Sequence, residues 1–334
     1  MRYHKASPKA SILQIIKHTL SILTACSVFA LTLSVLNSQI ISSAMWITLG
    51  YKENPSTNKV IEQNSNNFEE DFNLFTKQKE QIEVQNTISN ITNNNAIAVN
   101  LSATSGKYKN YNGTSVINNT NYDITSLLNA KYELPEINKD EPYILIYHTH
   151  TSEEYYGGGT VVDVGNTLAN EFEKLGYKTI HITTVYDKEQ FSGAYSRSVN
   201  GASEILEKYP SIKLVFDVHR DAITTQNGKS YRPITQINGE ECAQVMFVCG
   251  TDEKGLSHPE WRENFKFALD VSRTVENNYS ALSRPVNLRG DRFNTHLTNH
   301  AFLIEVGSNA NTLSEANLAA IYTARSIVKT IEKQ

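Results

Sequence analysis

From residue 140 onward the chain alternates short apolar runs with stretches of helical periodicity, and that alternation leaves few folds open. Tyr143-Ile144-Leu145-Ile146-Tyr147 is nearly continuous in apolar side chains, as in a strand covered on both faces. Residues 162–175 have helical periodicity and stop at Gly176, and residues 178–185 alternate as a strand. A helix follows over 198–208, closed by Pro210, and then a strand over 212–218. A further strand is predicted over 244–249, a long helix over 259–278 and a late strand over 302–306. Thr312-Leu313-Ser314-Glu315 has the form of a capping box, and Leu318, Ile321, Ile327, Val328 and Ile331 mark the buried stripe of the last helix. The pattern predicts an α/β domain, a mostly parallel sheet with helices on both faces. In such sheets ligands bind beyond the carboxyl ends of the strands.

The first third is different. Arg2, Lys5, Lys9 and Lys17 precede an uncharged stretch over 19–51, most apolar at 20–36. A spanning helix needs roughly 20 apolar residues. Basic residues ahead of it hold that side in the cytoplasm, so the rest of the chain is expected outside. The expected organisation is a basic tail (1–18), a transmembrane anchor (19–42), a flexible polar linker (43–112) and the α/β domain (113–334). Ser42-Ser43-Ala44 resembles a cleavage site, so a cleaved signal peptide is the rival reading. The linker is rich in Asn, Thr, Ser, Gln and Lys and cannot offset its own ordering entropy by burial. Phe68, Phe72, Phe75 and Ile82 interrupt it at near-helical spacing, either as a docking helix or as a transient one.

A net charge of -4 does not favour nucleic acid. Cys26 lies in the apolar run, and Cys242 and Cys249 lie at opposite ends of a predicted strand, too far apart to bridge. No Cys-x-x-Cys occurs, so neither a thiolate knuckle nor a thioredoxin-type pair is supported.

Three predicted strands run into metal-competent or acid–base side chains. The first leads to His148-Thr149-His150-Thr151-Ser152-Glu153, the third to Asp217-Val218-His219-Arg220-Asp221, and the last carries Glu305. A catalytic zinc takes three protein ligands and keeps one position open. His150, Glu153 and His219 supply that set, with His-x-x-Glu spacing and a distant His. Glu305, in an apolar strand, is placed to carry a proton, with its pKa raised by burial. A lone strand-end His is usually an ordinary polar residue; the joint occurrence at three strand ends of one domain weighs against that. His148 and His150 are two apart and could face one side, one as ligand and one as its neighbour.

The run 143–153 resembles the opening motif of the stage II sporulation protein P family. Residues 217–221 and Leu303-Ile304-Glu305-Val306-Gly307 are similar to its second and third motifs, and Asn119-Thr120-Asn121-Tyr122 lies in a segment similar to one ahead of its core. The resemblance implies a zinc-dependent (Zn2+) N-acetylmuramoyl-L-alanine amidase with a zinc amidase-like fold, credited also with endopeptidase action. It would remodel septal peptidoglycan during sporulation engulfment with stage II sporulation proteins D and M. His150 and His219 match the metal ligands and Glu305 the catalytic acid; Glu153 takes the Glu-ligand place, with Glu154 as the alternative. Arg220 and Asp221 are candidate substrate or supporting groups, Arg220 for the oxyanion. His296 and His300 could approach the site or lie on a loop surface. Two rival functions stay open: a zinc peptidase or carboxypeptidase acting on stem peptides, and a tethered non-catalytic scaffold that binds peptidoglycan.

Overall fold

The computed structural model describes residues 96–102, 109–111, 114–134, 136–188, 192–225 and 227–333, all within one compact unit spanning 79–334. The expected anchor, the basic tail and the Phe68–Ile82 patch lie outside the described residues. Among the described residues no helix is long and apolar enough to cross a membrane.

Eleven described strands appear in chain order: β1 (Ala96–Val99), β2 (Lys109–Tyr111), β3 (Thr114–Asn119), β4 (Ile144–Tyr147), β5 (Thr179–His181), β6 (Leu214–Asp221), β7 (Ser230–Ile237), β8 (Glu240–Ala243), β9 (Val245–Gly250), β10 (Val286–Arg289) and β11 (Ala301–Ser308). The described helices are α1 (Val161–Lys174), α2 (Ala194–Lys208), α3 (Trp261–Asn278) and α4 (Leu313–Ile331). β1 and β2 fall in the stretch read from sequence as polar linker.

The main sheet has the order β2-β3-β10-β9-β11-β6-β4-β5, and β1, β7 and β8 form a small second sheet. The sheet is parallel within two blocks, β3-β10-β9 and β11-β6-β4-β5, which meet antiparallel at β9 and β11. The expectation of a mostly parallel sheet therefore holds within each block and reverses between them. The chain passes from β6 to β9 through the β7–β8 hairpin without a helical crossover, so β9 re-enters in the opposite sense.

Side-chain alternation sorts the two faces. Leu214, Phe216 and Val218 of β6 and Phe302, Ile304 and Val306 of β11 point into the larger core, with Phe172 of α1, Phe267 of α3 and Ala320 of α4. Phe302 anchors that core, its ring centroid 4.9 Å from Phe216 and 5.1 Å from Phe247. On the other face Leu145, Tyr147, Val215 and Ala301 pack against Ala202 of α2. Met246, Val248 and Leu303 continue that face beneath Phe293. The expected capping box of α4 forms between Thr312 and Glu315, and α1 has one between Thr160 and Asp163.

Two boundaries depart from the periodicity. β5 stops at His181, short of the predicted 185, because its neighbour β4 ends at Tyr147; the last rung is Ile182 N–H donating to Ile146 O at 2.8 Å. β6 runs on through His219 to Asp221, since β11 continues to pair with it there. Cys242 and Cys249 are buried free thiols, as expected.

Candidate metal centre

His219 and Glu305 are register partners on adjacent parallel strands, so their side chains stand side by side. Both belong to the alternation that faces α2, and so does Asp217, two residues before His219. Beyond Glu305 the β6–β11 register shifts before Ser308 pairs with Asp221. Gly307 sits in that irregularity at φ 67°, where a Cβ would lie 2.7 Å from Asn311 Oδ1.

His150 and Glu153 come from the turn that follows β4. Glu153 N–H donates to His150 O at 3.2 Å, and Glu153 O accepts from Val161 N–H at the start of α1. The turn is pinned over β11 by Tyr155, whose hydroxyl donates to Val306 O at 2.9 Å. Glu153 Oε2 thereby lies 3.4 Å from His219 Nδ1. The rings of His150 and His219 meet edge to face at 5.4 Å, and Tyr195 of α2 closes on His150 at 5.6 Å.

Asp217 supports this arrangement from beneath. It is 1% exposed and accepts from Thr149 N–H at 2.8 Å and Thr149 Oγ1–H at 2.6 Å. Its Oδ1 also lies 2.8 Å from His219 Nε2, an approach too oblique for a well-formed hydrogen bond but a close ion-pair contact. Burial opposes charge on both partners, yet their attraction wins: Asp217 is held below the usual carboxylate range and His219 well above the usual imidazole range. With Nε2 turned to Asp217, Nδ1 is the nitrogen presented to Glu153. Asp187, on the other side, accepts from Thr151 Oγ1–H and Ser152 N–H and stands 3.9 Å from His150 Nδ1.

Burial pushes the Glu305 carboxyl up to about 8; His219 pulls it back, and Asp221 and Glu153 add to the rise. Its Oε2 is buried with no hydrogen-bond partner among the described residues. Arg284 reaches Asp221 with Nη2 at 2.8 Å, while its backbone N–H donates to Val245 O. Its anchor strand, β9, and its target strand, β6, flank β11, so the guanidinium crosses the end of the strand that carries Glu305. Arg220 N–H donates to Glu153 Oε2 at 3.0 Å and its Nε–H to Glu154 O at 3.0 Å, so this residue braces the Glu153 turn.

The structure thus brings His150, Glu153, His219, Glu305, Arg220 and Asp221 to one end of β6 and β11. His148 separates from His150, because β4 ends at Tyr147 and strand alternation no longer governs the turn. It binds Val218 O through Nδ1 at 2.8 Å and His181 Nε2 through Nε2 at 2.7 Å. Burial drives both rings down, His148 to about 3 and His181 to about 4. His300 does not approach the site: it precedes β11, whereas Glu305 lies near the other end, about 16 Å along an extended strand. It meets Glu133 O instead, and His296 stands with His258, ring centroids 6.3 Å apart. Asp217, Asp187, Tyr195 and Arg284 were not singled out from sequence. Only Asp217 left a local signal, an acid two places before a ligand-competent His on the same strand face.

Among the described residues no three His, Cys, Asp or Glu side chains already stand closed around a single metal position. The donor set nevertheless suits zinc. Bonds of about 2.1 Å in a tetrahedron separate two donor atoms by about 3.4 Å, which is the spacing of His219 Nδ1 and Glu153 Oε2. His150 lies against that edge, and a buried carboxylate backs the far nitrogen of His219, as metal-ligating histidines require.

A family model described as stage II sporulation protein P (SpoIIP) matches residues 27–328. The chain belongs to the stage II sporulation protein P family. Stage II sporulation protein P of Bacillus subtilis (strain 168) is 27% identical over 218 residues, covering 58% of this chain and 52% of that protein. The chain thus spans about half the length of the curated relative it matches. Among solved structures, the N-acetylmuramoyl-L-alanine amidase AmiC2 of Nostoc punctiforme aligns with a TM-score of 0.37 at 13% identity, covering 58% of this chain and 98% of that one. An N-acetylmuramoyl-L-alanine amidase from Clostridium difficile 630 aligns at 0.36 and 14%, with coverage of 58% and 96%. A metallo-carboxypeptidase from Burkholderia cenocepacia aligns at 0.32 and 9%, with coverage of 58% and 57%.

Proposed function

We propose that this member of the stage II sporulation protein P family is a zinc-dependent peptidoglycan hydrolase of the sporulating cell. In this reading it cuts the amide between N-acetylmuramic acid and the first L-alanine of the stem peptide. The observation that carries the proposal is the register pairing of Glu305 with His219, which sets a buried proton-carrying acid beside a ligand-competent His. Family membership supports a sporulation role on peptidoglycan; in the same reading the chain works at the septum, outside the membrane that anchors it, alongside stage II sporulation proteins D and M.

His150, Glu153 and His219 would hold the metal. Zinc bound there supplies Lewis-acid polarisation of the scissile carbonyl and a lowered pKa for water. Asp217 holds His219 so that Nδ1 stays presented. Glu305, lifted to about 8 by burial, keeps a carboxylate fraction at and above neutral pH, and in that form it takes a proton from the attacking water and then returns it to the leaving L-alanine nitrogen. Arg220 keeps Glu153 in place and adds positive charge beside the carbonyl oxygen as it gains charge. Tyr195 and Phe293, with ring centroids 5.9 Å apart, wall the α2 side against bulk water.

The test is muropeptide analysis of purified peptidoglycan after incubation with wild-type protein, with chelated protein and with Glu305→Gln. Glycan strands stripped of peptide by the wild type alone are expected. Shortened stem peptides on intact strands would instead favour a peptidase, and binding with no cleavage at all would favour a scaffold.

A further inference from the structure

With His148 neutral, the hydrogen bonds around His148 and His181 lead to one assignment of protons. Val218 O can only accept, so His148 Nδ1, 2.8 Å away, carries a hydrogen. A neutral His148 then has a bare Nε2, and that atom lies 2.7 Å from His181 Nε2. Two lone pairs at that distance repel, so His181 Nε2 carries the single hydrogen between them. His181 Nδ1 in turn accepts; the Asn166 atom 3.1 Å away is placed as Oδ1, and this assignment turns that exposed amide over so that its nitrogen donates there. The result is a directed chain, Asn166 to His181 to His148 to Val218 O.

The fold is built around this chain. Gly165 lies inside α1, where glycine weakens a helix. A Cβ at that position would fall 2.5 Å from His148 Nε2 and 2.6 Å from His181 Nε2. The acceptor is also significant. β4 ends one residue before His148, so no β4 backbone donor is left for Val218 O, and the His148 ring takes that place. Val218 separates Asp217 from His219, and His148 is two residues from His150. One ring therefore ties the turn bearing the first His ligand to the strand bearing the second.

We propose that His148 and His181 are positioning residues that set the spacing of His150 and His219 for the metal, through a hydrogen donated from His181 to His148. The inference rests on the zinc reading of the site. Neither residue need touch metal or substrate; His181 acts two bonds removed, which makes it the informative one to change.

The experiment measures zinc affinity of the full chain by competition with a chromophoric chelator, for wild type, His181→Leu and His181→Gln. The Gln amide nitrogen can restore the donor to His148, whereas Leu cannot. His181→Leu is expected to weaken zinc binding about tenfold or more, in the range typical of lost support to a metal ligand. His181→Gln should recover to within about threefold of wild type. Histidine-selective nitrogen NMR of the metal-free chain gives a readout that owes nothing to zinc. His148 should show hydrogen on Nδ1 and His181 hydrogen on Nε2. Equal zinc affinity in all three proteins, or both Nε2 atoms found bare, overturns the proposal. If His181→Leu fails to fold, the comparison of His181→Gln with wild type and the NMR assignment still decide. A wild type that binds no zinc sinks the metal reading itself and the positioning role with it, even if the proton assignment is correct.

Discussion

Changing Asp217 to Asn isolates the charge beneath the metal site. The carboxylate uses Oδ1 towards Thr149 N–H and His219 Nε2, and Oδ2 towards Thr149 Oγ1–H. Asn can keep Oδ1 where it is and place its amide nitrogen at Oδ2. Thr149 Oγ1 would then accept, turning its hydrogen to Ser198 Oγ, which is already 2.9 Å away. The hydrogen-bond count survives and only the negative charge is lost. Removing one partner of a buried ion pair costs about 3–5 kcal/mol. The low end applies, because His219 sheds its proton rather than remain an unpaired buried cation. A loss of about 3 kcal/mol lowers the melting temperature of a domain this size by about 6–12 °C. Zinc affinity should fall about 10- to 100-fold, since the far nitrogen of His219 loses its orienting charge. Differential scanning calorimetry of the metal-free chain and a zinc competition titration read the two effects. Thr149→Val is the control: it strips the bond to Oδ2 but leaves the charge, so it should lower stability and largely spare zinc. An Asp217→Asn protein with wild-type stability and wild-type zinc affinity would falsify the assignment of this pair as the support of His219.

Other outcomes follow from the same geometry. His219→Ala should abolish stoichiometric zinc in metal analysis, and retention of one zinc per chain would remove His219 from the ligand set. Gly165→Ala should destabilise the protein by about 1–3 kcal/mol despite the better helix propensity of Ala, because its Cβ overpacks the two histidines; a higher melting temperature would show that the contact relaxes freely. Burial, with Arg292 and neighbouring charge, lowers His258 and His296 to about 4 each. In the unfolded chain these rings take up protons near pH 6.5, before the folded ones do. Their contribution to stability is therefore complete above pH 6.5 and drains away as the pH falls towards 4. Melting temperatures recorded across that window should decline, and less so in a His258→Phe, His296→Phe double variant.

Much of the site was legible because it lies where local patterns change. The apolar runs 143–147, 212–218 and 302–306 each lead into polar, metal-competent residues, and period-two alternation places Asp217 and His219 on one face. The separation of His148 from His150 was not legible, since it depends on where β4 stops, and that depends on the path of the turn over β11. The reversed direction of the block β3-β10-β9 was not legible for a related reason. Short strands such as Val286–Arg289 carry too little periodicity to be seen, and no single strand's pattern states its direction.

The sequence by itself determined the alternating α/β elements, the capping box of the last helix and the identity of the chemical groups, because these depend on side chains within a few residues of one another. Only the tertiary structure decided which groups meet. Glu305 stands beside His219 because β11 inserts between β6 and β9, out of chain order. Glu305 is raised as its apolar strand predicted, but Asp217 became a counter-ion only because the packed sheet buries it against His219, and that burial belongs to the sheet rather than to any stretch of it.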